Sequence, residues 1–295
     1  MLDTSVVNAL ADDLDSEAMI AGLQTGYFVR FPFTVVSEAI ATTSGTRRAD
    51  LLRVCRKLLR SAGDCIEPHH EIMKIMVARF ETGQPLGLNH VYIRMPEAEN
   101  EILSTINIDD DLSMQEREEG RTNDKVFSGV FAEAKLSFDS AASAATVMPK
   151  NLADLILQLQ EGGAFWTSAR NLYLRVASGP VDVPTIQRFY SECEPFRTLM
   201  IAIFAAQFDR CIRPSAGGPS LRAGRNDTFM AACLPYCNVF ITNDAGQLAC
   251  YKEVVSLAGL GVEIRSYEEF RNQFCLTGSG RFRSASVLLG NNNRI

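Results

Sequence analysis

The cysteines and histidines of the sequence lack the spacing that a zinc site or a disulfide framework requires. Its eight cysteines are irregularly spaced and form no Cys-x-x-Cys pair, and the three histidines (His69, His70 and His90) lie far from most of them along the chain. This distribution argues against a structural zinc site. Reduced thiols in a cytoplasmic protein are the simpler interpretation.

Positive charge and long apolar runs are also scarce. The formal net charge is −6, which argues against a broadly basic surface that coats nucleic acid, although a local basic patch is compatible with it. The longest apolar run, 199–206, is much shorter than the about 20 residues that cross a bilayer. The first residues carry no basic stretch followed by an apolar one, so we expect neither a secretory signal nor a membrane partner.

Strand and helix patterns alternate at both ends of the 295-residue chain. This alternation predicts an α/β fold with one parallel sheet. Strands are predicted at 1–7, 65–67, 238–242 and 262–265. Helices are predicted at 16–25, 35–43 with Thr34 as N-cap, 46–61, 69–80, 227–234, 246–258 and 267–274.

The middle of the chain has a different pattern. The segments 97–119, 124–142, 150–178 and 184–212 favour helices, and strand signals are sparse. We therefore predict an α/β domain made of 1–83 and 219–276, with an all-helical insertion over 84–218. The Gly/Ser/Asn-rich end, 277–295, predicts a flexible tail.

Four acids fall where a parallel sheet places its functional sites, at strand ends and at the starts of the following helices. They are Asp3 in the first predicted strand, Glu38 in the first turn of a predicted helix, Asp227 at a helix start and Asp244 at a strand end. Each of them alone could be a cap or a turn residue. Their recurrence in equivalent places suggests a shared role.

Asp3 is the hardest of the four to explain structurally. A carboxylate within an apolar strand costs several kcal/mol to desolvate unless it is paired, and no Lys or Arg lies nearby in sequence. Several such carboxylates would also raise one another's pKa. A hard cation such as Mg²⁺ or Mn²⁺ removes both difficulties, because it prefers oxygen ligands.

The chain carries, in this order, the motifs "MLDTSVVN", "VVSEAI", "RNDTFMAA" and "VFITND", the last followed by "GVEIRSYEEF". This series of motifs resembles the PIN-domain family of metal-dependent ribonucleases. The resemblance covers about 1–83 and 219–272. It implies a Rossmann-like three-layer fold with a parallel sheet, and Asp3, Glu38, Asp227 and Asp244 as the catalytic and metal-binding acids. Mg²⁺ or Mn²⁺ is the implied cofactor. The residues implied to orient these ligands are Thr4, Ser5, Thr242 and Asn243.

The resemblance also implies RNA as the substrate and a hydrolysed phosphodiester bond as the reaction. The loop before Asp227 carries Arg213, Arg222 and Arg225, which are candidate phosphate contacts. The protein would then be the toxin of a toxin–antitoxin pair, covered by an inhibitory antitoxin-like protein, or a separate RNA-processing enzyme. A homo-oligomer is compatible with either role.

Two other interpretations stay open at this point. The protein could be a non-catalytic PIN-like scaffold whose helical insertion binds a protein partner. It could also be a metal-dependent phosphatase or a structure-specific DNA nuclease. The phosphatases usually carry an Asp-x-Asp pair on the first strand, whereas Asp3 is followed by Thr4 and Ser5.

Overall fold

Helices dominate the chain in the computed structural model, which describes residues 1–93, 110–143, 148–212 and 224–277. The first helices are α1 (Thr4–Asp12), α2 (Ser16–Gly26), α3 (Phe33–Ile40), α4 (Gly45–Ala62) and α5 (His69–Glu81). The middle helices are α6 (Asp110–Ser143), α7 (Leu152–Glu161), α8 (Ala164–Leu174), α9 (Val183–Glu192) and α10 (Glu194–Gln207). The last are α11 (Arg225–Met230), α12 (Ala245–Ala258) and α13 (Tyr267–Thr277).

Short strands form two small sheets, so the fold is a mixed α/β one. The strands are β1 (Val29–Pro32), β2 (Gly63–Ile66), β3 (Tyr92–Ile93), β4 (Val239–Thr242) and β5 (Glu263–Ser266). β1 pairs with β2 in parallel, and β3 adds to β2 in the antiparallel direction. β4 and β5 form a second, parallel pair.

The first three residues lie between the two sheets and bond to both. The Leu2 N–H donates to the carbonyl of Arg30 in β1 at 2.9 Å. On the other side, Leu2 forms an isolated parallel bridge with Ile241 in β4, whose N–H donates to the Met1 carbonyl at 2.9 Å. The chain start therefore fixes the distance between β1 and β4.

The predicted strand over 1–7 is wrong beyond its first residues. The extended backbone ends at Asp3, and α1 begins at Thr4 with Asp3 as its N-cap. The β-branched residues after Asp3 favour a strand locally, but Val6, Val7 and Leu10 are buried on one face of a helix. Asp3 therefore follows an extended segment instead of lying inside a strand.

Two details around β1 also differ from the prediction. The strand Val29–Pro32 was not predicted, and α3 begins directly after it, so Pro32 and not Thr34 is the N-cap. Because α3 begins at Phe33, Glu38 lies in its second turn and not in its first. The other predicted helices and strands of both chain ends are present, with shifted ends.

The helical middle packs into the same core as the strands. One long helix, α6, covers most of the two segments predicted at 97–119 and 124–142, while 97–109 lies outside the described residues. α10 carries the longest buried face and packs against α12 and the 3₁₀ turn Ala231–Tyr236. Phe189 and Phe196 from this region belong to one hydrophobic cluster with Phe31 and Phe240 of the strands.

Some predictions fall on residues that the structure does not describe. These are Arg213, Arg222 and nearly all of the tail predicted over 277–295. Within the described ranges, no helix combines the length and the apolar character that a membrane crossing needs.

Candidate active site

Asp3 is the most enclosed of the four predicted acids, with 3% of its surface exposed. Its carboxylate accepts hydrogen bonds from the Val6 N–H at 2.9 Å, from Ser5 Oγ at 2.8 Å and from Thr242 Oγ1 at 2.7 Å. The Val6 bond is the N-cap bond of α1. Burial raises the pKa of Asp3 to about 6, although these three hydrogen bonds act to lower it.

Asp244 follows β4 and caps α12. Its Oδ1 accepts a hydrogen bond from the Gln247 N–H at 2.7 Å, and its own N–H donates to Thr242 Oγ1 at 3.0 Å. The Thr242 hydroxyl therefore accepts a hydrogen bond from the backbone N–H of Asp244 and donates one to the Asp3 carboxylate. This geometry agrees with the predicted strand end, and it makes Asp244 both a cap and a candidate ligand.

Asp227 lies in the first turn of α11. Its Oδ2 accepts from the Gly224 N–H at 2.8 Å, and its Oδ1 accepts from Gln247 Nε2 at 3.2 Å. A β-carbon at position 224 would come within 3.0 Å of Asp227 Oδ2, so the glycine allows this close approach. The Tyr251 hydroxyl also donates to the Asp227 carbonyl, which anchors α11 to α12.

Glu38 approaches the other acids from α3. Thr4 Oγ1 donates to its Oε2, and Asn226 Nδ2 donates to its Oε1 at 2.5 Å. Asn226 directly precedes Asp227, so its side chain connects Glu38 to the start of α11. Thr4 makes the corresponding connection to the start of α1.

The four acids influence one another, and Asp227 lies at their centre. Its charge contributes to the raised pKa of Asp3. Burial raises the pKa of Asp227 itself, and the charges of Glu38 and Asp244 raise it further. In the described part of the chain, no Lys or Arg side chain donates a hydrogen bond to any of the four. The structure thus places Asp227 within electrostatic reach of each of the other three predicted acids, and none of the four has a basic hydrogen-bond partner among the described residues.

The predicted supporting residues contact the acids in different ways. Thr4, Ser5 and Thr242 use their hydroxyls, as described above. Asn243 contributes its backbone N–H, which donates to Ser5 Oγ at 2.7 Å. Arg225 forms an ion pair with Asp124 of α6 at 2.8 Å, next to the acids along the chain.

Gln247 and Asn226 contribute to the site but were not predicted. Gln247 is 1% exposed, and it links Asp227 to Asp244 through its side chain and its backbone N–H. Its Oε1 is buried and has no hydrogen-bond partner among the described residues. A single Gln in a helix gives no sequence signal of this role, whereas the Asn next to Asp227 could have been noted.

The donor chemistry of the site suits a hard divalent cation. All four acids offer carboxylate oxygens, and the buried charge of Asp3, which has no basic partner among the described residues, favours an added cation. As the side chains stand, no group of three or more His, Cys, Asp or Glu within the described ranges is close enough to hold a metal. Mg²⁺ usually binds through one or two carboxylates and keeps several waters, so a full protein cage is not required.

A large cavity adjoins Glu38 and the start of α11. Its volume is about 1060 Å³, and Glu38, Arg225 and Asn226 form part of its wall. Helices α6, α8 and α10 of the helical middle supply most of the remaining wall. A ligand in this cavity would therefore contact Glu38 and the segment predicted as an insertion.

No family model, no curated protein and no solved structure matches this chain. The resemblance to the PIN-domain family therefore depends on the four short sequence motifs alone.

Proposed function

We propose that this protein is a divalent-metal-dependent endoribonuclease of the PIN type, acting as a toxin or as an RNA-processing enzyme. The observation that carries the proposal is the meeting of Asp3, Glu38, Asp227 and Asp244 from four separate parts of the chain, with no basic side chain to balance them among the described residues. Grouped carboxylates of this kind are costly for a fold unless they have a use.

The finer fold is part of the same proposal. We infer that β3–β2–β1, the chain start and β4–β5 act as one Rossmann-like sheet between helical layers. Leu2 supports this inference, because it bonds to Arg30 of one sheet and pairs with Ile241 of the other. In such a sheet, Asp3 and Asp244 both follow the carboxyl ends of strands, where these folds carry their sites.

Asp3, Asp227 and Asp244 would hold Mg²⁺ or Mn²⁺, whose chemistry is to activate water and to stabilise charge on the phosphate. Thr242 fixes two of these acids at once, since its hydroxyl bonds to Asp3 and to the backbone of Asp244. Gln247 fixes Asp227 relative to Asp244. Glu38 lies on the cavity wall, where its carboxylate would orient the attacking water toward a phosphate.

The test is cleavage of a mixed pool of single-stranded RNA in Mn²⁺, in Mg²⁺ and in EDTA. Asp227→Asn should retain the fold, because an Asn oxygen can still accept from the Gly224 N–H, and it should lose cleavage. Asp111→Asn, at an exposed acid of α6, is the matched control and should cleave like the wild type. Equal cleavage by Asp227→Asn and the wild type would refute the assignment.

A non-catalytic PIN-like scaffold is the second candidate, and one observation favours it. Every one of the four carboxylates already accepts hydrogen bonds from neighbouring protein groups. Such a site could hold the fold together without a substrate, and the helical middle would then bind a protein partner. Absence of cleavage by the wild type in both metals would favour this candidate.

A further inference from the structure

The cavity beside the acids extends well beyond what phosphate hydrolysis needs. It begins at Glu38 and Asn226, which hydrogen-bond to each other at 2.5 Å, and it continues between α5, α6, α8 and α10. At about 1060 Å³ it is at the upper end of the size range of small-molecule sites. Its position makes it a place for the part of a substrate next to the reacting phosphate.

One wall of the cavity is an aromatic surface. His69 stacks on Phe229 with ring centroids 4.3 Å apart and an angle of 16° between the planes. Phe127 of α6 meets Phe229 edge-on at 5.5 Å. Burial lowers the pKa of His69 to about 4, so this ring is neutral at physiological pH. Flat neutral rings of this kind are the surfaces on which unpaired bases stack.

The polar groups of the cavity suit the edges of a base. Asn123 and Asn171 line it with exposed carboxamides and Gln207 with a half-buried one, and within the described residues none of the three side chains forms a hydrogen bond with the protein. A carboxamide offers both a donor and an acceptor, which matches the edge of a nucleobase. This type of contact on splayed-out bases is how proteins read single-stranded RNA.

The charged residues that line the cavity determine whether it favours a base or a phosphate. Glu116 and Glu119 line it together with Glu38, and burial raises the pKa of Glu116. Arg175 and Arg225 also line the cavity, and Arg225 is paired with Asp124 of α6. The three acids outnumber the two arginines and can accept hydrogen bonds from the amino groups of a neutral base, so the lining favours a base over a second phosphate.

We propose that this cavity receives an unpaired nucleobase beside the scissile phosphate, stacked against the His69–Phe229 pair and read by the surrounding carboxamides. The inference rests on the proposed ribonuclease function and deepens it. It predicts that cleavage prefers the base that the cavity accepts.

Gly120 of α6 offers a direct way to fill the cavity. It lines the cavity, and a β-carbon added there meets no other atom within 4 Å, so Gly120→Leu should fold. Gly129 lies in the same helix, is equally open and is not among the lining residues, so Gly129→Leu is the matched control. Asn171→Ala, at an exposed lining residue, is a second variant that leaves the cavity open.

The measurement is binding of short fluorescent oligo(A), oligo(C), oligo(U) and alternating oligo(GU) RNA to the full chain in EDTA, where no metal-dependent cleavage occurs. We expect the wild type and Gly129→Leu to prefer one composition. Gly120→Leu should bind that RNA about tenfold more weakly or worse, since each stacked base contributes about 1–3 kcal/mol. Asn171→Ala should bind with a reduced preference between compositions.

Three results would overturn the inference: equal binding by Gly120→Leu and the wild type, equal affinity for all compositions, or no binding by the wild type. Failure of the ribonuclease function has a different signature. In that case the wild type would bind RNA in EDTA with a base preference that Gly120→Leu loses, yet it would cut no RNA in Mn²⁺ or Mg²⁺. That outcome would support the base-binding cavity and refute the nuclease.

Discussion

Thr242 Oγ1 donates a hydrogen bond to Asp3 Oδ2 at 2.7 Å, joining two residues that are 239 positions apart in the chain. Thr242 is fully buried and Asp3 nearly so. The same hydroxyl accepts from the Asp244 N–H at 3.0 Å. This single side chain therefore holds the first and last of the four acids in register.

Replacing Thr242 with Val should destabilise the protein most where Asp3 is ionised. The change removes a donor from a buried carboxylate, which costs about 1–3 kcal/mol. We expect that loss in the free energy of unfolding at pH 8 and a smaller loss at pH 5, because protonated Asp3 needs fewer donors. Urea unfolding at both pH values measures it.

The control for this variant is Thr167→Val, at an exposed helical position whose hydroxyl donates to the Gly163 carbonyl. It should change stability by no more than about 0.5 kcal/mol. A loss in Thr242→Val that is the same at pH 8 and at pH 5 would contradict the role assigned to the Asp3 charge.

The raised pKa of Asp3 predicts how stability depends on pH. The ordinary value is 3.8 and the folded value is about 6, so the unfolded chain releases this proton first as the pH rises. The folded state therefore loses stability between about pH 4 and pH 6. The full effect is about 3 kcal/mol, since one pKa unit corresponds to about 1.4 kcal/mol.

The Asp3→Asn variant isolates this effect, because its side chain does not ionise. Relative to the wild type, its free energy of unfolding should increase as the pH rises from about 4 to about 6 and then level off. Urea titrations of both proteins across this window measure the difference. A difference that does not vary with pH would show that Asp3 ionises normally in the fold.

His69 predicts an opposite dependence in nearly the same window. Its pKa falls from 6.5 to about 4 through burial and the nearby charges of His70 and Arg225. The unfolded chain therefore binds this proton first as the pH falls, and the stability present above about pH 6.5 is lost toward pH 4. His69→Phe, which keeps a ring against Phe229, should remove this loss.

Because Asp3 and His69 act in opposite directions, the stability of the wild type alone is a poor test of either. The His69→Phe experiment is likewise a difference from the wild type, measured by urea unfolding at several pH values. The same substitution at an exposed histidine, His90→Phe, serves as the control. Equal pH profiles for His69→Phe and the wild type would contradict the shifted pKa.

Arg225 should contribute electrostatically to RNA binding. It lies next to the cavity and the acids, although it is paired with Asp124. Arg225→Ala should weaken binding similarly for all sequences and reduce the slope of log affinity against log salt by about one. Arg170→Ala, at an exposed residue of α8 bonded to the Val181 carbonyl, is the control. An unchanged slope would remove Arg225 from the RNA-binding surface.

The sequence predicts a site residue best where the local residue pattern and the position of the residue between two elements indicate the same role. Asp244 follows an apolar strand and precedes a helix, and both elements are predicted from the sequence. Val6 and Val7 favour a strand around Asp3 because of their high strand propensity. The hydrogen bond from the Val6 N–H to Asp3 Oδ1, which begins α1, depends instead on the tertiary position of the chain start.

Other features had no local signal at all. β1 is four residues long and ends on Pro32, so neither its length nor its composition distinguishes it from a loop. The contact between His69 and Phe229 joins residues far apart in sequence, and so does the link from Gln247 to Asp227. These pairings arise from packing, which a single sequence does not display.

The central proposal is that Asp3, Asp227 and Asp244 hold a divalent cation while Glu38 orients the attacking water, and Mn²⁺ binding tests it most directly. Electron paramagnetic resonance of free Mn²⁺ would be followed at pH 8 for the wild type, Asp227→Asn and the control Asp111→Asn. We expect the wild type and Asp111→Asn to bind Mn²⁺ and Asp227→Asn to bind it about tenfold more weakly or worse. Equal binding by all three proteins, or no binding by the wild type, would contradict it.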